Sequence, residues 1–231
     1  MDVKDKTAAI TGGASGIGYS CVEQLLHHNA KVNFVGLPVR DSTLDVSKNL
    51  IPSKFHSHNI PKYFSKCLSL INFHLTQTGL VRTTLLGIDI MGKHNGGRGG
   101  TIVNIASIAG VTPAVEFPIY CATKYAVVGL TASLQGSYDR TGVRMLLMCP
   151  GMTRTPLADN MMEMTFLSFF DHKKIMADMK TWPCQPPEAV AKAMVKLIEK
   201  GKNGAACIVV GNEPLCVIDI PTYQDLVKHE L

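Results

Sequence analysis

Two sets of residues in this chain have the types and spacing that chemistry needs. The first is the run Thr11-Gly12-Gly13-Ala14-Ser15-Gly16-Ile17-Gly18. Glycine lets a backbone come close to a pyrophosphate. A helix that starts there offers free N–H groups and the positive end of its dipole. The spacing, Gly-x-x-x-Gly-x-Gly, differs from the commoner dinucleotide fingerprint. The second set is Ser107, Tyr120 and Lys124. Tyr120 and Lys124 are four residues apart, so on a helix they share a face. A phenol and an ammonium so placed can take part in moving a proton. Alone, such a pair is usually only a solvated helix face. Here it follows a strand-end serine by 13 residues, with a nucleotide-type turn upstream. The three features together rarely arise by chance.

The elements that must position these groups can be read from periodicity. Thr7-Ala8-Ala9-Ile10 is a short apolar run that stops at the glycines. From Ile17, the residues Ile17, Cys21, Val22, Leu25 and Leu26 keep the spacing of one buried helix face, ended by His27, His28 and Asn29. Lys31 to Val35 is the next strand. Strand, glycine turn, helix and strand make a βαβ unit, which implies a parallel sheet with helices on its faces. Pro38, Pro52 and Pro61 break up residues 36–66, where no second βα unit is clear. Further on, helices are expected at Leu80–Met91, Ala122–Leu134 and Glu188–Lys200, the last framed by Pro187 and Gly201. Strands are expected at Thr101–Ala106, Val143–Cys149 and Cys207–Val210. With no repeat and no linker, residues 1–231 read as one α/β domain.

Composition narrows the classes. Charged residues are 18% and apolar ones 46%, which excludes a disordered chain. The net charge is +5, but Lys173-Lys174 is the longest basic run, so no stripe for nucleic acid exists. The 7 cysteines are odd in number, show no C-x-x-C spacing and lie largely in apolar runs, as thiols of a reducing compartment do. The charged start Asp2-Val3-Lys4-Asp5-Lys6 is not a signal peptide, and no apolar run approaches the ~18 residues of a membrane span. A cytoplasmic protein with neither membrane nor nucleic-acid partner is expected. His27-His28 and His56-Ser57-His58 lack cysteine or acid partners at ligand spacing, so no metal is expected. Six of the 11 methionines, with Phe166, Phe169 and Phe170, fall in 152–179. They read equally as an adaptable apolar cover for a substrate or as ordinary packing.

The chain resembles the short-chain dehydrogenase/reductases, in particular the insect alcohol dehydrogenase and 15-hydroxyprostaglandin dehydrogenase-like subgroup. The residues that carry this are Thr11-Gly12-x-x-x-Gly16-Ile17-Gly18, Asn104-Ile105-Ala106-Ser107, Tyr120-x-x-x-Lys124 and Pro150-Gly151-x-x-x-Thr155. The resemblance implies a Rossmann-type doubly wound parallel sheet and an NAD-dependent oxidoreductase acting on an alcohol or ketone, with NADP not excluded. It implies Ser107, Tyr120 and Lys124 as catalytic residues. The cofactor would lie against Gly12, Gly13, Ser15, Gly16, Ile17, Gly18, Tyr120, Lys124 and Thr155. Tyr120 would carry the proton, Ser107 would hold the substrate oxygen, Lys124 would bind the nicotinamide ribose and Thr155 the carboxamide. The Lys124 ammonium and the oxidised nicotinamide are both positive, and positive neighbours favour phenolate, so the Tyr120 pKa is expected to fall below the ~10 of a free phenol. Pairing through the helices at Leu80–Met91 and Ala122–Leu134 is also implied, giving a homodimer or larger.

The sequence departs from that family in three places. Gly36 follows the second strand where an acid selects NAD; Asp41 comes five residues late, beside Arg40. The Asn-Asn-Ala-Gly motif is absent. The interval between the second strand and the helix at residue 80 is a few tens of residues too short for a third strand, a helix and a fourth strand. That predicts a gap in the central sheet, either filled by Leu68-Ser69-Leu70-Ile71-Asn72 as a stand-in strand or left open by a helix extending back through it. Lastly, the asparagine that often completes a proton relay falls on Thr76 in ungapped register, and on Asn72 only with an insertion. With part of the sheet missing, a catalytically impaired relative stands as the alternative.

Overall fold

The computed structural model describes residues 2–35, 68–159, 171–211, 213–221 and 225. It opens with β1 (Thr7–Thr11), α1 (Gly16–His27) and β2 (Lys31–Val35). These form the expected βαβ unit, with β1 and β2 parallel and Thr7 opposite Lys31. The long helix α2 (Leu68–Met91) follows, then β3 (Gly100–Ile105), α3 (Pro118–Leu134) and β4 (Val143–Pro150). Last come α4 (His172–Met179), α5 (Pro187–Lys200), β5 (Ala206–Val209) and β6 (Cys216–Ile218). β3, β4 and β5 are parallel neighbours, and β6 closes the edge antiparallel to β5. This is a Rossmann-type α/β architecture.

Val143, Met145, Leu146, Met148 and Cys149 of β4 are fully enclosed, so β4 is the central strand of its sheet. The apolar stripe of α1 (Cys21, Val22, Leu25) is buried, and α1 packs on α5, whose Val190, Met194 and Leu197 face inward as the periodicity predicts. One core cluster joins both ends of the chain. Ala8, Ile10 and Val32 from the first unit meet Leu146, Met148, Val190 and Cys207 from the second.

The expected gap in the sheet is present. Among the described residues β1 pairs only with β2, and β3 pairs only with β4, giving a two-stranded and a four-stranded sheet. Leu68–Asn72 is not a stand-in strand; the second alternative holds, and α2 runs back through it to Leu68. No proline interrupts 68–91, and each residue added to an existing helix gains one hydrogen bond. The consequence is a bare face on the first unit. Thr7, Ala9, Thr11, Lys31 and Asn33 are exposed, whereas parallel strands are normally covered on both sides.

A buried polar bridge fixes β3 between the two helices that flank it. Thr84 Oγ1 of α2 donates to Asn104 Oδ1 at 3.2 Å, and Asn104 Nδ2 donates to Thr131 Oγ1 of α3 at 3.0 Å. All three residues are buried and mutually satisfied, the condition under which a buried polar network is tolerated.

Candidate active site

The turn after β1 is shaped for a ligand. Gly12 has φ +72°, a left-handed conformation that glycine adopts without strain, and a Cβ there would meet nothing within 4 Å. A Cβ on Gly18 would run into the Gly12 carbonyl, lying 2.7 Å from its carbon. Ser15 occupies the N-cap of α1 in extended backbone, yet its hydroxyl caps no N–H, and the first turn carries no acid. The first-turn N–H groups and the helix dipole thus remain available to an anion. These features fit a dinucleotide phosphate. The Phe34 side chain stands against Gly13, 2.6 Å from where a Cβ would be, with its ring half exposed.

The loop after β4 meets this turn. A Cβ on Gly16 would lie 3.2 Å from Thr155 Cγ2. The last residue of β4, from which that loop leaves, touches the second set of residues. Ser107 is buried at the carboxyl end of β3, and its Oγ donates to Pro150 O at 3.4 Å and accepts from Ala109 N at 3.2 Å. The two sets therefore come together at the carboxyl ends of β1, β3 and β4, where open α/β sheets bind ligands.

Pro118 starts α3 four residues earlier than periodicity suggests, because proline is favoured at the first helical position. Tyr120 therefore lies in the first turn, one turn before Lys124. The Ser107 side chain lies close enough to the Tyr120 phenol to pull its pKa down. Lys124 Nζ is 5.6 Å from the centroid of the Tyr120 ring and donates to Ile105 O at 3.4 Å, over the end of β3.

The fall of the Tyr120 pKa is expected with the oxidised cofactor in place; in the chain alone its pKa moves the other way. Burial raises it, outweighing the Ser107 side chain that pulls it down; the neighbouring Cys121 thiol adds to the rise. Burial likewise depresses Lys124 to about 8, against a smaller opposing effect of Cys149. In a partly buried site, losing water destabilises each charged form.

Several residues at the site escape sequence reasoning. The Cys149 thiol is fully enclosed near Lys124 and Ser107; burial pushes its pKa to about 11, so at neutral pH it is an uncharged floor beneath the ammonium. Cys121 accepts from Ala114 N at 3.3 Å and steadies the loop before α3. Buried Phe117 wedges that loop. Thr153 and Gln185 are buried under the loop that carries Thr155. Gly36, Arg40, Asp41, His56, His58, Phe166, Phe169 and Phe170 lie outside the described residues, as do the side chains of Asn72 and Thr76. No helix among the described residues is long and apolar enough to cross a membrane.

The family profile described as short chain dehydrogenase matches residues 50–165. The chain is 30% identical to 15-hydroxyprostaglandin dehydrogenase (NAD(+)) of Mus musculus, over 100% of this chain and 99% of that protein. It is 29% identical to alcohol dehydrogenase 2 of Ceratitis capitata, over 96% and 97% of the two chains. The alignment with the mouse enzyme spans 267 positions, so that enzyme carries tens of positions that this chain lacks. Among solved structures, aldohexose dehydrogenase of Thermoplasma acidophilum superposes with TM-score 0.57 at 20% identity, over 85% of this chain and 88% of that one. Levodione reductase gives 0.54 at 22%, over 84% and 90%. These structures share the fold.

Proposed function

From the premise that the chain belongs to the short-chain dehydrogenase family, we propose that it is an NAD-linked oxidoreductase acting on a small alcohol or ketone. The observation that carries this reading is the meeting of Ser107, Tyr120 and Lys124 with the uncapped turn of α1, through the loop at 150–155. When bound, NAD supplies the hydride acceptor. Gly12 to Gly18 would receive its phosphates, Lys124 its ribose and Thr155 its carboxamide. Ser107 would hold the substrate hydroxyl by a hydrogen bond. Tyr120 takes the hydroxyl proton as the carbonyl forms, and returns a proton in the reverse direction. Ser107 is the natural holder because it lies beside the phenol at the end of β3. Gly36 stands where an acid would repel a 2′-phosphate, so NADP remains a second cofactor in this reading. A cytoplasmic location goes with it.

Titrating the protein with NADH and with NADPH, followed by fluorescence, tests the reading. NADH is expected to bind; binding of neither rejects it. A second reading is favoured by the gap between β1 and β3 and the bare face of the first unit. In it the chain binds the dinucleotide without turnover. NADH binding with no oxidation of any secondary alcohol in a panel would select that reading.

We also infer a homodimer. Leu86 and Ile90 of α2 are 58% and 76% exposed, large apolar groups facing out. On α3, Tyr125, Ala126 and Gly129 are exposed on one face, and the space around Gly129 is open. Two such helix pairs would bury each other's apolar residues with close backbone approach. Sedimentation at micromolar concentration should show twice the 25.0 kDa chain mass, and Leu86→Glu should reduce it to the monomer. A wild-type chain that sediments only as monomer rejects this assembly.

A further inference from the structure

We propose that Gln185 is a positioning residue for the nicotinamide end of the site, acting through the loop that carries Thr155; this rests on the dinucleotide reading above. Gln185 is 1% exposed, and its amide lies where three segments meet. Its Nε2 donates to Val209 O, at the end of β5, at 2.9 Å, and to Thr153 Oγ1 at 3.3 Å. Its backbone is paired with the same loop on both sides: Gln185 N donates to Met152 O at 3.0 Å, and Arg154 N donates to Gln185 O at 2.9 Å. Thr153 Oγ1 in turn donates to Gly151 O at 3.0 Å, and Thr155 Oγ1 donates to Thr153 O at 3.4 Å. Thr155 then rests on Gly16 of the phosphate turn.

The orientation of the amide is set by its partners. Turned over, its oxygen would face the Val209 carbonyl oxygen, two acceptors in contact. In the orientation present, Oε1 has no hydrogen-bond partner among the described residues. An apolar side chain of similar volume would fill the space without leaving a buried acceptor unpaired. What such a side chain cannot do is join β5 to Thr153. The amide thus gives up stability and fixes the loop laterally against the sheet, and with it the height of Thr155 above Gly16.

The test separates the two ends of the cofactor. ADP-ribose has the phosphates and adenosine but no nicotinamide. Gln185→Met is expected to weaken NADH binding about tenfold, the scale of one lost buried tie, while ADP-ribose affinity stays within about twofold. Thr153→Val, which keeps shape and removes the acceptor, is expected to reproduce the pattern and covers the case in which Gln185→Met does not fold. Equal losses for both ligands, or no loss for either, overturn the positioning role and leave the dinucleotide reading intact. A wild-type protein that binds neither ligand overturns both.

Discussion

Replacing Tyr120 by phenylalanine is expected to lower alcohol turnover by about a hundredfold or more, the scale of a lost general acid–base group. NADH affinity should stay within about twofold, because the ring remains and only the phenolic oxygen is removed. The ring face over which Lys124 lies is preserved, and Phe adds no volume to the half-buried site. The effect should therefore fall on kcat rather than on cofactor binding. A pH signature goes with it. Burial raises the Tyr120 pKa, so at neutral pH the phenol is protonated in the cofactor-free protein. Oxidation needs the base form, whose fraction grows as pH rises toward that raised value. Turnover in the oxidising direction should thus climb with pH in the wild type and lose that climb in Tyr120→Phe. Ketone reduction should run the other way, since it needs the proton. A phenylalanine variant with near-wild-type turnover and the same pH profile rejects the role of Tyr120.

How much of this was legible in the sequence depends on the kind of signal. β1, β2, α1 and α5 follow from short-range pattern, because each buries one apolar face that repeats at its own period. The start of α3 was placed late since a first turn of Pro118, Ile119, Tyr120 and Cys121 shows no periodicity of its own; only the proline marks it. β6, with three residues, is too short to show a period, and it pairs antiparallel, which the βαβ rhythm does not suggest. The approach of Tyr120 to Lys124 was readable because four-residue spacing on a helix dictates proximity, whereas Ser107, at the end of β3, was tied to them only by the family resemblance. The burial that raises the Tyr120 pKa in the cofactor-free chain was not readable. Charge can be counted in a sequence, but the depth at which a phenol is buried is a property of the packing. Gln185 was invisible for a related reason. A glutamine between Cys184 and two prolines reads as loop, and only contacts with Val209 and Thr153, 24 and 32 residues away, reveal it as buried.

Gly18→Ala should produce the second large loss, in cofactor affinity rather than in turnover alone. The added methyl would sit against the Gly12 carbonyl oxygen, 2.7 Å from its carbon and 3.2 Å from Gly13 Cα. All three atoms are backbone, so no side-chain rotation relieves the contact. The turn must open, at about 1–3 kcal/mol, the usual range for overpacking. Opening it moves Gly12 and Gly13 away from the start of α1, and with them the N–H groups that would face the phosphates. NADH and ADP-ribose should therefore weaken together by about tenfold to a hundredfold, the fold-change that such a strain corresponds to. This equal loss distinguishes Gly18 from Gln185, whose variant is expected to affect NADH alone. Gly136→Ala is the internal control. It lies away from the turn and from the α2 and α3 faces inferred to pair, with open space around it, so alanine there should leave cofactor affinity unchanged. If Gly18→Ala binds both ligands as the wild type does, the turn after β1 is not where the phosphates bind, and the close packing of Gly18 on Gly12 serves only to start the helix.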